Sequence, residues 1–201
     1  MRKVLPLFSY IFHPIFIPVF GTLFYFLYNE NYFDVQQKYL ILIQIILITI
    51  LIPISFFYLL KTMGKVDSIM ISELSQRKIP LLIQIVLFFL LIQKSITQER
   101  IPELHFFILG GLVSAIMAYL LLFLKIKTSL HLLGTSSLTA FVIGLSFHNQ
   151  INILYSIAIL IFVNGVVASS RLVMKAHSVK ELLIGFSVGL LPQVIMWYFW
   201  L

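Results

Sequence analysis

Residues 168–181 read Ala-Ser-Ser-Arg-Leu-Val-Met-Lys-Ala-His-Ser-Val-Lys-Glu, and they place Ser170, Arg171, His177 and Glu181 between two strongly apolar segments. Polar groups are costly inside a bilayer, so a cluster at the junction of two apolar runs needs a reason. One reason is a short loop whose basic residues meet lipid headgroups. The other is an anion-binding catalytic site at the membrane surface. A guanidinium offers a planar fork of donors that suits phosphate. A histidine, with a free pKa near 6.5, can hold or release a proton at neutral pH. Glu181 follows His177 by four residues, one helical turn, so the two share a side.

The elements that must position these groups are membrane segments. The chain has 201 residues, of which 61% are hydrophobic and 10% charged, with a mean hydropathy of +1.06. A soluble domain carries roughly 25% charged residues. The composition therefore points to an integral membrane protein with one domain spanning 1–201 and no separate soluble module. A secretory signal is not expected, because the first apolar stretch is long and has no small-residue cleavage site. The absence of cysteine removes disulfides and thiolate chemistry and leaves the compartment open. The net charge of +7 is scattered over inter-segment loops, where it meets anionic headgroups and not nucleic acid.

Seven apolar segments can be drawn, over roughly 4–28, 39–60, 80–97, 104–124, 130–147, 151–168 and 179–200. A spanning helix needs about 20 residues. The expected fold is an all-α polytopic transmembrane helix bundle of six or seven segments. Pro14 and Pro18 kink or break the first segment, which either spans or re-enters. His148-Asn149-Gln150 joins the fifth and sixth as a tight hairpin. The polar stretch 61–79 carries Val66, Ile69, Met70 and Leu74 near helical spacing, so 66–78 reads as an interfacial amphipathic helix. Pro80 then falls in the first turn of the third span.

Parity tests which polar groups share a membrane face. The chain crosses twice between Arg77 and Ser129, and twice again between His131 and Ser170. One face therefore gathers Arg77, Lys78, Lys125, Lys127, Ser129, His131, Ser170, Arg171, Lys175 and His177. The opposite loops hold a balanced mixture: Glu30, Asp34, Lys38, Lys94, Glu99, Arg100, Glu103 and His148.

Ser170-Arg171, five residues, His177, three residues and Glu181 resemble the third signature of the type 2 phosphatidic acid phosphatase (PAP2) superfamily, SRx5Hx3D, with Glu in place of Asp. Lys127-Thr128-Ser129-Leu130-His131 resembles the second, PSGH, with Ser129 and His131 matching and Thr128 and Leu130 standing for Pro and Gly. The first signature, Kx6RP, is degenerate: Arg77 fits its Arg, Met70 stands at its Lys, and Pro80 comes three residues after Arg77. The resemblance covers about 65–190 and leaves out the first two segments.

The resemblance implies a membrane phosphatase acting on a lipid phosphate or isoprenyl diphosphate through a phosphohistidine, with no metal or other cofactor. In that scheme His177 attacks phosphorus, Glu181 orients its ring, and His131 protonates the leaving oxygen and then activates water. Arg171, Ser170, Ser129, Lys127 and Arg77 hold the phosphate, whose transfer is driven mostly by positioning and charge stabilisation. Simpler roles stand beside these. His177 and Glu181 can be a structural helix pair, Arg171 a headgroup contact, Lys127 a loop marker, and Arg77 part of a solvated face with Glu73. His13, His105 and His148 read as interfacial. Gly185 and Gly189 read as close helix packing, Asn164 as a partner for a neighbouring helix, and Trp197, Tyr198 and Trp200 as an aromatic belt. Neither HExxH nor CxxC spacing nor a glycine-rich nucleotide loop occurs.

With the proposed ligands set aside, the site face holds eight Lys and Arg residues against three on the other. The positive-inside rule then leans the site to the cytoplasmic side, with a cell inner membrane expected; the resemblance points the other way, because many lipid phosphatases of that superfamily work on the outer face. Three other functions remain consistent with the sequence. They are a catalytically impaired relative that binds anionic headgroups, a lipid phosphotransferase, and a small transporter, the last disfavoured because few polar groups lie mid-segment.

Overall fold

The computed structural model describes residues 4–29, 33–68, 71 and 73–201. Among these the chain is all-α. Its helices are α1 (Leu5–Ile11), α2 (Ile17–Tyr28), α3 (Val35–Ile46), α4 (Ile52–Thr62), α5 (Leu74–Lys94), α6 (Pro102–Phe123), α7 (Leu130–His148), α8 (Leu154–Val173) and α9 (Val179–Trp200). Helices α5 to α9 are each long and apolar enough to cross a membrane, as is the continuous helical run of α3 and α4. The protein is a multi-pass helix bundle.

The first apolar segment is a bent pair of helices. His13 sits in extended backbone ahead of Pro14, a short 3-10 turn covers Pro14–Phe16, and the two halves are bent by 41°. Its direction follows from its partners on α8. Near one end the Ser9 hydroxyl meets the Ser170 hydroxyl at 2.6 Å, and near the other the Tyr28 hydroxyl meets Ser156 at 2.5 Å. Ser170 and Ser156 lie near opposite ends of α8, some 21 Å apart at a helical rise of about 1.5 Å per residue. The segment therefore runs antiparallel to α8 for most of its length, from the face carrying 124–129 and 174–178 to the face carrying 149–153.

Between α3 and α4 the chain takes a π turn at Leu47–Leu51. Pro53 follows at once, and a proline inside a helix lacks an N–H and crowds the carbonyl one turn back, which the wider turn relieves. The stretch from 66 differs from the expected amphipathic helix. Val66 is buried and non-helical, and α5 starts only at Leu74. Pro80 consequently lies inside α5 and not in its first turn.

Helix α7 is the centre of the bundle, and most of its residues are buried. It is rich in hydroxyls, and these stitch it to its neighbours. Thr135 donates to Asn164 Oδ1 at 2.8 Å, and Asn164 Nδ2 donates to Thr139 at 2.7 Å, so Asn164 of α8 bonds the neighbouring helix as expected. Ser136 and Ser137 donate to the Phe186 and Gly189 carbonyls of α9, each at 2.9 Å. That contact is possible because Gly185 and Gly189 face α7: a Cβ on either would run into the backbone of Ser129 or Leu133. The aromatic end of α9 is divided. Tyr198 is exposed, but Trp200 is buried against Phe141 and His148, so it belongs to the core and not to a surface belt.

Two helices end on the site face in a way that aims the loops. Lys125 after α6 and Lys175 after α8 both adopt the left-handed conformation, with φ of 58° and 51°. In each case two hydrogen bonds reach back to the last turn, Ile126 to Leu121 and Lys125 to Leu122, Ala176 to Arg171 and Lys175 to Leu172. These bonds satisfy terminal carbonyls that would otherwise lack partners. The chain then turns sharply into 126–129 and 176–178, the two stretches that precede His131 and deliver His177.

Candidate functional site

The α9 N-terminus explains the placement of His177. Ser178 is the N-cap, and its hydroxyl accepts from Glu181 N–H at 3.4 Å while Glu181 Oε2 accepts from Ser178 N–H at 3.3 Å. This reciprocal cap fixes the Glu181 carboxylate over the first turn. The same Oε2 lies 2.8 Å from His177 Nδ1. A carboxylate is an acceptor only, so Nδ1 carries the ring proton and Nε2 keeps its lone pair in the neutral ring. Burial pushes the His177 pKa down to about 4; Glu181 opposes the shift, while Arg77, Arg171 and Lys127 add to it. At neutral pH the ring is therefore uncharged, with its nucleophilic nitrogen unprotonated.

The second part is the N-terminus of α7. Ser129 is its N-cap, with the hydroxyl accepting from Leu132 N–H at 3.5 Å, and Ser129 N–H donates to the Glu181 carbonyl at 3.2 Å. Two residues on, His131 is buried, and its Nε2 lies 3.0 Å from the Ser9 carbonyl of α1. A carbonyl only accepts, so His131 carries a proton on Nε2. Its other nitrogen, Nδ1, is the atom left for proton exchange.

The remaining polar groups tie the loops together. Arg77 donates Nε and Nη2 to the Ile71 carbonyl at 3.1 and 2.8 Å, and Nη1 to the Thr128 carbonyl at 2.8 Å. A guanidinium has five N–H donors, so two remain after these three. Lys127 Nζ donates to the Ala176 carbonyl at 2.9 Å, which pins the two site loops to each other. The Ser170 hydroxyl is paired with Ser9.

One cavity of about 230 Å³ collects the chemistry. Arg77, His131, Arg171 and His177 line it, four of the eight residues singled out from sequence. Glu181 stands behind His177. Ser129, Ser170 and Lys127 are outside the lining, and their polar atoms bond to protein. The Ser129 hydroxyl caps α7 and the Ser170 hydroxyl meets Ser9. Met70, at the degenerate position of the first signature, lies outside the described residues.

Away from its polar end the cavity is apolar, walled by residues such as Pro18, Phe56, Leu60, Leu81 and Phe88. It runs from Arg77 to Phe88 along α5, a length of about 16 Å at the helical rise. The cavity is thus polar at one end and apolar along the rest.

The first segment contributes to this site in a way the sequence motifs do not report. His13 lines the cavity, its ring edge-on to His131 with centroids 5.3 Å apart. Its position immediately before Pro14, at a break in an apolar run, was the available signal. The other two histidines serve the opposite end or a loop: His148 Nε2 is 3.3 Å from Glu103, and His105 Nδ1 is 2.7 Å from the Ile96 carbonyl. Among the described residues no group of three or more acidic, histidine or cysteine side chains could hold a metal ion. No family model, no curated protein and no solved structure matches this chain.

Proposed function

We propose that the protein is a membrane-embedded phosphatase that removes a terminal phosphate from a lipid phosphate or isoprenyl diphosphate, as its resemblance to the PAP2 superfamily implies. The observation that carries this reading is the His177–Glu181 pair: a neutral imidazole with Nδ1 held by a carboxylate and Nε2 available, in a cavity also lined by two arginines and a second histidine.

The chemistry balances with these groups alone. The His177 Nε2 lone pair attacks phosphorus, and the bond from phosphorus to the lipid oxygen breaks. The monoanionic phosphate brings the proton that His131 Nδ1 relays to that oxygen, while Nε2–H stays on the Ser9 carbonyl. In the second step Nδ1 takes a proton from water, and the resulting hydroxide attacks the phosphohistidine. Phosphate leaves, and Nε2 of His177 is restored. Arg171 and the two uncommitted donors of Arg77 stabilise the equatorial oxygens, where the charge lies. Glu181 offsets the positive charge on the phosphorylated ring. The lipid chain occupies the apolar length of the cavity. The excess of basic residues on the site face supports a cytoplasmic site at the inner membrane.

A second reading has one observation in its favour. Ser129, Ser170 and Lys127 are not among the residues lining the cavity, and the Ser170 hydroxyl and the Lys127 amine each meet a protein partner. A relative that binds anionic headgroups without turning them over would tolerate that. Phosphate release from a panel of lipid phosphates by purified protein separates the two, since only the phosphatase releases phosphate and loses it with His177→Ala.

A further inference from the structure

We propose that His13, on the first segment, is a further substrate-contacting residue of this site: a neutral donor to the phosphoryl oxygens. The inference rests on the lipid-phosphate reading for its ligand and goes beyond it in the residue it adds.

Three observations converge. First, His13 lines the cavity together with Arg77, His131, Arg171 and His177, and its ring stands perpendicular to His131. Second, its tautomer is set by the backbone. His13 Nδ1 accepts from Ile15 N–H at 3.4 Å as the N-cap of the 3-10 turn, so the proton of the neutral ring sits on Nε2. Third, the neutral donors that the motif spacing nominates, Ser129 and Ser170, are not among the residues lining the cavity. A phosphate among two guanidiniums already has cationic partners. A further cation there would add repulsion between like charges. An uncharged N–H fills the remaining lone pairs without that cost.

The geometry also accounts for the bend in the first segment. Extended backbone at His13 before Pro14 breaks the helix where the ring meets His131. One turn earlier, the Ser9 carbonyl accepts from Nε2 of the same histidine. Residues 9 and 13 thus act on His131 together, from a segment that carries no signature.

The test uses full-length protein in detergent and inorganic phosphate as the probe, read as the rise in unfolding temperature with phosphate concentration. His13→Asn keeps an acceptor where Nδ1 is, and so keeps the cap, but loses the Nε2 donor. His13→Gln places an amide N–H near the Nε2 position and loses the cap. We expect His13→Asn to weaken phosphate binding roughly tenfold and His13→Gln to stay near wild type, with unfolding in the absence of phosphate showing that each variant is folded. The reverse order, equal effects in both variants, or no response of wild type to phosphate overturns the proposal. If wild type binds phosphate with the expected order of variants but releases none from lipid phosphates, the phosphatase reading fails and the role of His13 stands.

Discussion

The Nε2 atom of His131 lies 3.0 Å from the backbone carbonyl of Ser9, a residue 122 positions earlier in the chain. This contact makes the broken first segment part of the site and assigns the ring proton of His131 to Nε2. His177 is held in the opposite sense, by Glu181 at Nδ1. Each histidine thus has one nitrogen anchored and the other left for chemistry, and the anchors come from opposite ends of the sequence.

The orienting role of Glu181 predicts a split in kinetics. Glu181→Gln keeps an oxygen near Nδ1 but removes the charge that offsets a phosphorylated imidazole. We expect kcat for phosphate release to fall roughly 10²-fold with KM little changed. Steady-state kinetics on one lipid phosphate checks this. A purely structural cap would instead lower stability and leave kcat per folded molecule intact.

The pH dependence follows from the burial of His177. Its folded pKa, about 4, lies below the ordinary 6.5. The unfolded chain therefore binds the extra proton first as the pH falls. The stability linked to this group is complete above 6.5 and is lost as the pH drops from there to about 4. The neutral nucleophile persists over the same window. The acid limb of kcat/KM assigned to His177 should lie near pH 4 to 5, not near 6.5. Unfolding of wild type and His177→Gln between pH 4 and 7 should show a shallower slope in the variant.

The close contact of α7 and α9 predicts a contrast between glycines. Gly185→Ala forces a Cβ into the Ser129 backbone, next to both His131 and Glu181. We expect a loss of about 1–3 kcal/mol together with reduced phosphate release. At Gly165 a Cβ meets nothing within 4 Å. Gly165→Ala should be neutral or gain up to about 1 kcal/mol. Thermal unfolding in detergent measures both.

Lys125 and Lys175 carry side chains in the left-handed conformation. That costs an L-residue about 1–2 kcal/mol, part of which a glycine returns through its freer unfolded chain. Lys125→Gly and Lys175→Gly should each raise stability by about 0.5–1 kcal/mol and leave phosphate release unchanged, because neither lysine lines the cavity.

Much of the fold was legible because apolar runs in a membrane protein announce themselves. Spans α5 to α9 fall close to the apolar segments, and parity alone placed Arg77, His131 and His177 on one face. The spacing of Arg171, His177 and Glu181 is local, so a linear motif could capture it. The contacts of Ser9 and His13 could not be read in this way. One is made by a backbone carbonyl, which has no sequence signal. The other depends on the bend at Pro14, which brings the two histidine rings together across more than a hundred residues. The polar stretch after α4 misled for a related reason. Helical spacing at Val66 and Leu74 suggested an interfacial helix, but Val66 is buried and Gln76 bonds Asp67, so tertiary contacts hold the chain out of helix there. The Arg77 fork was expected to hold phosphate, and three of its five donors instead hold the carbonyls of Ile71 and Thr128.

The most direct test is release of inorganic phosphate from a panel of lipid phosphates and isoprenyl diphosphates by purified wild type and His177→Ala at matched folded concentration. Wild type should release phosphate from at least one member, and His177→Ala should be slower by roughly 10³-fold or more. Equal release by the two proteins, or none by either, would contradict the account.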